Sequence, residues 1–225
     1  MLCLQVQEKM SDAIHIWRAA LDEEGWPGPE RLPADERERA ATIVRGEASR
    51  RWVAARWALR RALGEQLGVA PTAIELELGE HGKPRLARGD GLEFSLSHSN
   101  GLALVAISET CAIGVDVELI EPRVNVVALA ERALSPKDAA TVRGGAAADR
   151  CAAFYAAWTR HEARGKCLGT ALVLTSLQLT PSEGDNRRLA GLAVENFDIA
   201  PGYTAAVALA APAVGPIDCR SLRAG

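Results

Sequence analysis

Two short segments carry acidic residues at spacings that could do chemistry. In Ile113-Gly114-Val115-Asp116-Val117-Glu118, apolar residues alternate with two carboxylates. Alternate residues of a strand share a face, so Asp116 and Glu118 point one way and Val115 and Val117 point into a core. Carboxylates this close repel each other and must shed solvent. A hard cation answers both problems, and Mg2+ is commonly held by one or two carboxylates together with substrate phosphates. A strand with a solvated acidic face is the plainer reading. In Trp158-Thr159-Arg160-His161-Glu162-Ala163-Arg164-Gly165-Lys166, the residues Trp158, Glu162 and Lys166 recur every fourth position and share one helix face. An ordinary surface Glu–Lys pair has the same spacing. Gly165 counts against it, because a glycine in mid-helix costs about 1 kcal/mol and leaves room for a ligand or another backbone.

Groups suited to phosphate oxygens lie elsewhere. Phe94-Ser95-Leu96-Ser97-His98-Ser99-Asn100-Gly101 ends a strand in hydroxyls and one imidazole; a polar hairpin turn is the alternative. Arg50, Arg51, Arg56, Arg60 and Arg61 crowd one helix, with Arg39 upstream. Some of these are solvated surface, and an anion site needs only one or two. No Walker loop, G-x-S-x-G, H-E-x-x-H or dinucleotide glycine fingerprint accompanies them.

The elements that must position these residues follow from periodicity. Ile14 and Ile16 mark a first strand, Ala13–Trp17. Ala34–Arg45 reads as a charged helix and Glu47–Leu67 as a long one with an apolar stripe of Trp52, Ala55, Leu59, Ala62 and Leu63. Strands are expected at Ile74–Leu78, Leu92–Leu96, Leu102–Ile107 and Ala112–Glu118, with a turn over residues 80–84. Helices are expected at Asn125–Leu134 and Asp149–Leu168, the latter stopped by Gly169. Ser135-Pro136 has the form of an N-cap and a first-turn proline. Ser176–Leu179, Leu189–Phe197 and Thr204–Leu209 read as strands. The order strand, short helix, long helix, strands runs once through residues 13–108 and again through 112–210. The fold class is therefore α+β, as two similar halves with a cleft between them. Residues 1–12 are an N-terminal extension, and the tail 211–225 has no usable pattern.

Composition narrows the class. A charge of −3 with pI about 5.9 speaks against a general nucleic-acid surface. Five scattered cysteines form no C-x-x-C pair, so neither a disulfide framework nor a zinc site is suggested. With no leader-like start and no apolar run of spanning length, the expectation is a cytoplasmic protein without membrane contact.

Four segments, read in order, carry a resemblance: Gly82-Lys83-Pro84, Phe94-Ser95-Leu96-Ser97-His98-Ser99, Gly114-Val115-Asp116-Val117-Glu118, and Trp158-Thr159-Arg160-His161-Glu162-Ala163 with Lys166 beyond it. Together they resemble the Sfp-type 4′-phosphopantetheinyl transferases over about residues 13–210. That family's fold is two α+β halves related by an internal pseudo-twofold axis. The resemblance implies transfer of the phosphopantetheine arm of coenzyme A to a serine of an acyl or peptidyl carrier protein, with release of adenosine 3′,5′-bisphosphate. It implies that Asp116, Glu118 and Glu162 hold Mg2+, that Glu162 takes the serine proton, and that Lys166 steadies charge at the pyrophosphate. Arg39, Arg51 and His98 match positions near the 3′-phosphate, Lys83 and Pro84 the adenosine side, Ser97 a position that binds coenzyme A, and Trp158 a packing role. It also implies docking of the carrier on Pro122–Lys137 and a monomer, since one chain supplies both halves. Two positions depart from the family pattern. His161 stands where a lysine usually precedes the helix glutamate, and Glu36 stands where a basic residue is expected. A coenzyme A binder without catalysis and a metal-dependent phosphohydrolase are the competing functions.

Overall fold

The computed structural model describes residues 14–43, 46–79, 82–89, 91–170 and 191–225. The first half runs β1 (Ile14–Ala20), α1 (Ala34–Thr42), α2 (Glu47–Leu67), a small hairpin of β2 (Leu76–Leu78) and β3 (Pro84–Leu86), then β4 (Glu93–Ser99) and β5 (Leu102–Ser108). The second runs β6 (Ile113–Leu119), α3 (Val126–Ala133), α4 (Pro136–Gly144), α5 (Arg150–Leu168), β7 (Ala193–Phe197) and β8 (Tyr203–Leu209). A last strand, β9 (Ile217–Leu222), ends the chain.

The strands form sheets of order β4-β5-β1-β9 and β6-β8-β7, beside the β2-β3 hairpin. β9 apart, the two larger sheets have one plan. β1 pairs antiparallel with β5 as β6 pairs with β8, and β4 and β7 take the remaining sides of β5 and β8. Alternation decides which residues go inside. Ile14, Ile16, Leu102 and Leu104 of the first sheet pack against Val115, Val117, Ala205 and Val207 of the second. On the outer faces, α2 sets Ala55, Ala58, Leu59 and Ala62 on Trp17, Ala103 and Val105, and α5 sets Ala163 and Cys167 on Ala206 and Ala208. Both long helices end on a left-handed glycine, Gly68 (φ 68) and Gly169 (φ 70), a conformation that costs a glycine no Cβ clash. Asn125 and Ser135 cap α3 and α4 through their side chains, with Pro136 in the first turn of α4.

The structure departs from the sequence expectations in four places. The tail contains β9, which adds in parallel to β1 from Ile14↔Ile217 to Ala19↔Leu222. Its pattern is hidden because Asp218 and Arg220, which pair at 2.6 Å, occupy a face that alternation reserves for apolar residues. Trp52 leaves the stripe of α2 and is only partly buried, against Leu32, Ala40, Val53 and Trp57 rather than on the sheet. β4 continues through Ser97, His98 and Ser99, so these are strand residues and not a turn. β3 is an additional element, and the helix start marked by Ser135-Pro136 runs on as α4. The extension 1–12 and the strand expected at 176–179 lie outside the described residues.

Candidate active site

The site forms where α5 crosses β6. The crossing is close because position 114 is glycine: a Cβ there would overlap the Ala163 carbonyl oxygen and the Cys167 amide nitrogen. Alternation on β6 turns Asp116 and Glu118 toward the helix while Val115 and Val117 enter the core. From α5, Lys166 Nζ reaches Asp116 Oδ1 at 2.6 Å. β4, in the other half, contributes hydroxyls. Ser97 donates to Asp116 Oδ1 at 2.8 Å and accepts from Lys166 Nζ at 2.8 Å, and Ser99 donates to Glu118 Oε2 at 2.8 Å.

Charge in this cluster is unbalanced. Asp116, Glu118 and Glu162 face one lysine. Burial, then the negative charge of Asp116, raises the Glu118 pKa, against a hydroxyl from Ser99 and the Trp158 indole. Burial, then Asp116, pushes Glu162 up to about 7, and Glu118 adds to the rise. Among the described residues, Asp116 Oδ2 is buried without a hydrogen-bond partner. An orphaned carboxylate oxygen among mutually repelling acids fits a hard divalent cation with oxygen ligands. The three acids are not already gathered as a site: among the described residues no group of three or more His, Cys, Asp or Glu side chains stands ready to hold a metal, and Asp116 Oδ1 is turned to Lys166 instead.

A cleft of about 310 Å³ opens beside the cluster, with Glu162 and Lys166 on one wall, Lys83, Pro84, Phe94 and Leu96 on another, and Arg56 of α2 at its side. A second hollow of about 430 Å³ continues past Lys83 and Pro84 to Arg85, Leu92 and Glu93. Lys83 Nζ donates to the Ile113 carbonyl at 3.0 Å, and burial holds its pKa below the usual lysine value. The hairpin thus ties itself to the strand that carries the acids and brings Lys83 and Pro84 to the same cavity as Glu162 and Lys166.

Comparison with known proteins places the chain in a family. A family model described as the 4′-phosphopantetheinyl transferase superfamily matches residues 112–208. The 4′-phosphopantetheinyl transferase HetI of Nostoc sp. (strain PCC 7120) is 35% identical over 190 residues, covering 77% of each chain. The chain belongs to the 4′-phosphopantetheinyl transferase superfamily. It is also similar to the 4′-phosphopantetheinyl transferase AcpT of Salmonella typhimurium, 36% identical over 112 residues, which cover 50% of this chain and 55% of that protein. The 4′-phosphopantetheinyl transferase of Bacillus subtilis is 26% identical over 143 residues, 64% of this chain and 62% of the other. The matched family region runs from β6 to β8 and so contains Asp116, Glu118, Glu162 and Lys166.

The remaining positions indicated by the transferase resemblance stand apart from that cluster. Arg51 forks onto Asp22, Nε to Oδ1 and Nη2 to Oδ2 at 2.8 Å each, and also reaches Asn100 Oδ1 at 3.3 Å. That hydrogen-bonded pairing holds the Arg51 pKa above its usual value and the Asp22 pKa below. Arg39 is exposed on α1. His98 projects from the face of β4 opposite Ser97, accessible to solvent. Desolvation at that strand and the Lys166 ammonium keep its imidazole below the ordinary histidine pKa. His161 lies half-buried against Trp158, with a ring distance of 6.1 Å. Glu36 has a structural reason: its carboxylate, 4% exposed, receives Arg56 at 2.5 Å and Arg60 at 3.1 Å. Ser99 and Arg56, which the sequence offered only as members of a polar run and an arginine-rich helix, are neighbours of the site. The signal for Ser99 was the period-two run Phe94-Ser95-Leu96-Ser97-His98-Ser99, whose apolar members face α2 and whose serines face the other half.

Proposed function

We propose that this protein transfers the 4′-phosphopantetheine arm of coenzyme A to a serine hydroxyl of a carrier protein, in the manner of the Sfp type. The family assignment supports the activity. The Sfp-type reading rests on the two matching halves within one chain. The observation that carries the site is the meeting of Glu162 and Lys166 with Lys83 and Pro84 around one cleft, directly over the Asp116–Glu118 strand.

In this reading the serine oxygen bonds to the β-phosphorus of the pyrophosphate. The bond from that phosphorus to the bridging oxygen breaks, and adenosine 3′,5′-bisphosphate leaves with the electron pair. Glu162, whose pKa of about 7 leaves it a competent base near neutrality, accepts the serine proton directly or through a water. Lys166 compensates charge as it builds on the pyrophosphate oxygens, and Lys83 with Pro84 lines the adenosine side. Phosphoryl transfer asks for positioning and charge neutralisation more than for covalent help. Asp116, Glu118 and Glu162 would hold Mg2+, which when bound supplies further neutralisation at the pyrophosphate. Arg39, Arg51 and His98 form the side of the site we assign to the 3′-phosphate, with Arg51 exchanging Asp22 for that anion.

For the carrier protein we assign Pro122–Lys137. Arg123, Arg132 and Lys137 are exposed there, and Val124 is 37% exposed. A basic rim around an apolar contact suits an acidic partner. Leu134 is half-buried, packed against the Val126, Ala130 and Phe154 cluster, so it supports the helix more than it offers a docking contact. No helix among the described residues is long and apolar enough to cross a membrane. Cys111, Cys151, Cys167 and Cys219 are free thiols, in keeping with a reducing cytoplasm.

Mass spectrometry of an acyl or peptidyl carrier protein after incubation with coenzyme A and Mg2+ tests the reading. A carrier heavier by one phosphopantetheine, with adenosine 3′,5′-bisphosphate released, is the expected result. Free phosphopantetheine with unmodified carrier would make the protein a hydrolase, and coenzyme A binding with neither product would make it a binder.

A further inference from the structure

Among the described residues β6 is the edge of its sheet, and its outward N–H groups face the other half of the molecule. β4 runs alongside and meets them with side chains. Ser95 Oγ accepts from the Val115 N–H at 3.1 Å, Ser97 Oγ from Val117 at 3.3 Å and Ser99 Oγ from Leu119 at 3.1 Å. The three bonds repeat at a constant offset of twenty residues, so this is a ladder of hydroxyls in place of a ladder of carbonyls. Hydroxyls can do what carbonyls cannot: while accepting, each still has a proton to give. Ser97 gives its proton to Asp116 Oδ1 and Ser99 gives its own to Glu118 Oε2, both at 2.8 Å. Each serine therefore grips the backbone of one β6 residue and the carboxylate of the residue before it. Ser97 is used to capacity, because its second lone pair takes Lys166 Nζ at 2.8 Å. A phosphate oxygen needs a donor, and Ser97 has none left.

We propose that Ser97 and Ser99 are positioning residues that fix the Asp116 and Glu118 carboxylates, and through Ser97 the Lys166 ammonium, in the orientation the transfer uses. They reach across from the half of the chain that carries no acid of the site, so the catalytic geometry depends on the registration of the two halves. This gives Ser97 a role toward the carboxylates rather than toward coenzyme A, and it rests on the reading of Asp116 and Glu118 as site carboxylates. The molecule contains its own control. Ser95 lines the same cleft and makes the same backbone bond, but the residue before Val115 is Gly114, which has no carboxylate to orient.

The test compares Ser95→Ala, Ser97→Ala, Ser99→Ala and Ser99→Thr. Each alanine variant loses one bond to β6, and Ser97→Ala and Ser99→Ala lose the bond to a carboxylate as well, so Ser95→Ala should lower the melting temperature least. Ser97→Ala and Ser99→Ala should in addition lose kcat beyond the Ser95→Ala level by about ten- to a hundredfold, the usual cost of removing an outer partner of a ligating group. KM for coenzyme A should change little, and Ser99→Thr, which keeps the hydroxyl, should restore kcat. Titration of the free proteins with Mn2+, followed by electron paramagnetic resonance, should show weaker binding in Ser97→Ala and Ser99→Ala and wild-type binding in Ser95→Ala. If Ser97 proves too buried to replace without unfolding, Ser99, only partly buried, carries the comparison. Equal losses of kcat in all three alanine variants, or no recovery in Ser99→Thr, would overturn the proposal. Mn2+ held equally by wild type and Asp116→Ala would instead overturn the metal assignment, leaving the serine proposal to stand or fall on kcat.

Discussion

The two halves share a plan, yet the layer between helix and sheet is filled in opposite ways. In the first half, α2 meets β1 and β5 through alanines, Leu59, Trp17 and Val105, a dry apolar layer. In the second, the same layer under α5 holds Asp116, Glu118, Glu162 and Lys166 beside Ala163 and Ala206. Both halves also bury carboxylates, with opposite electrostatic results. Glu36 lies between two guanidiniums, and hydrogen bonds from Arg60 and Arg56 outweigh its burial and lower its pKa. Glu118 and Glu162 lie among acids, and burial with like charge raises theirs. A buried carboxylate with its counter-charges in place is a structural tie. One left short of positive charge stores an unfavourable interaction that a proton or a cationic ligand relieves, which is why perturbed groups mark functional sites.

That contrast can be broken at its strongest point first. Asp116→Ala should cost at least about a thousandfold in transfer, on the scale of several kcal/mol of lost charge stabilisation. The melting temperature measured without Mg2+ should fall less than in Glu36→Gln, because the bonds from Ser97 and Lys166 are lost but a repelling charge has gone. Glu162→Gln should lower kcat by about a hundredfold or more with little loss of coenzyme A affinity, the pattern of an interaction made in the transition state. Single-turnover transfer with an isothermal titration for coenzyme A checks both. An equal loss in affinity alone would reduce Glu162 to holding the ground state.

Glu36→Gln should do the reverse. Removing the partner of two buried guanidiniums should cost about 3 kcal/mol of stability or more, read from denaturant unfolding, while the folded fraction turns over normally.

The pH response should separate the clusters more finely. Between the ordinary glutamate value of 4.5 and about 7, folded Glu162 keeps a proton that the unfolded chain has released. The folded state then binds more protons, so this contribution to stability falls as pH rises through that window. Glu36, with a depressed pKa, contributes stability that is present above 4.5 and is lost as pH falls through its folded value. Melting curves without added Mg2+ should therefore show Glu162→Gln gaining on the wild type from pH 4.5 to 7, and Mg2+ should narrow the gap at the upper end. Parallel curves for the two proteins would deny the raised pKa.

The smallest effects belong to the carrier surface. Arg132→Glu and Lys137→Glu should each raise KM for the carrier by up to about tenfold at low salt and less at physiological salt, where charges beyond roughly 8 Å are screened. KM for coenzyme A should not move. An unchanged carrier KM in both would place docking elsewhere. Leu134→Asp should lower stability, because half-buried Leu134 packs against the Val126, Ala130 and Phe154 cluster.

Much of this was legible because it is local. The alternation of Ile113–Glu118 placed Asp116 and Glu118 on one face, the four-residue spacing of Trp158, Glu162 and Lys166 placed a glutamate and a lysine on another, and Gly169 and Ser135-Pro136 marked helix ends. Gly165 suggested a close backbone approach at α5, and the approach occurs, with Gly114 of the strand as the residue that permits it. What escaped depends on partners far along the chain. β9 reads as a patternless tail until β1 lies beside it. Ser99 reads as a turn residue until β6 stands twenty positions away. Glu36 reads as a missing cation until Arg56 and Arg60, a full helix later, close on it.

The sequence by itself determined the periodicities, and with them the α+β class, the two halves and the residue types available for phosphoryl chemistry. A strand or helix face needs only the nearest few residues to be defined. The tertiary structure decided which charges are compensated. Asp22 takes Arg51, Glu36 takes Arg56 and Arg60, and three acids share Lys166. Pairing energy depends on distance and on the solvent excluded around each group, and neither quantity exists until the two halves are packed together.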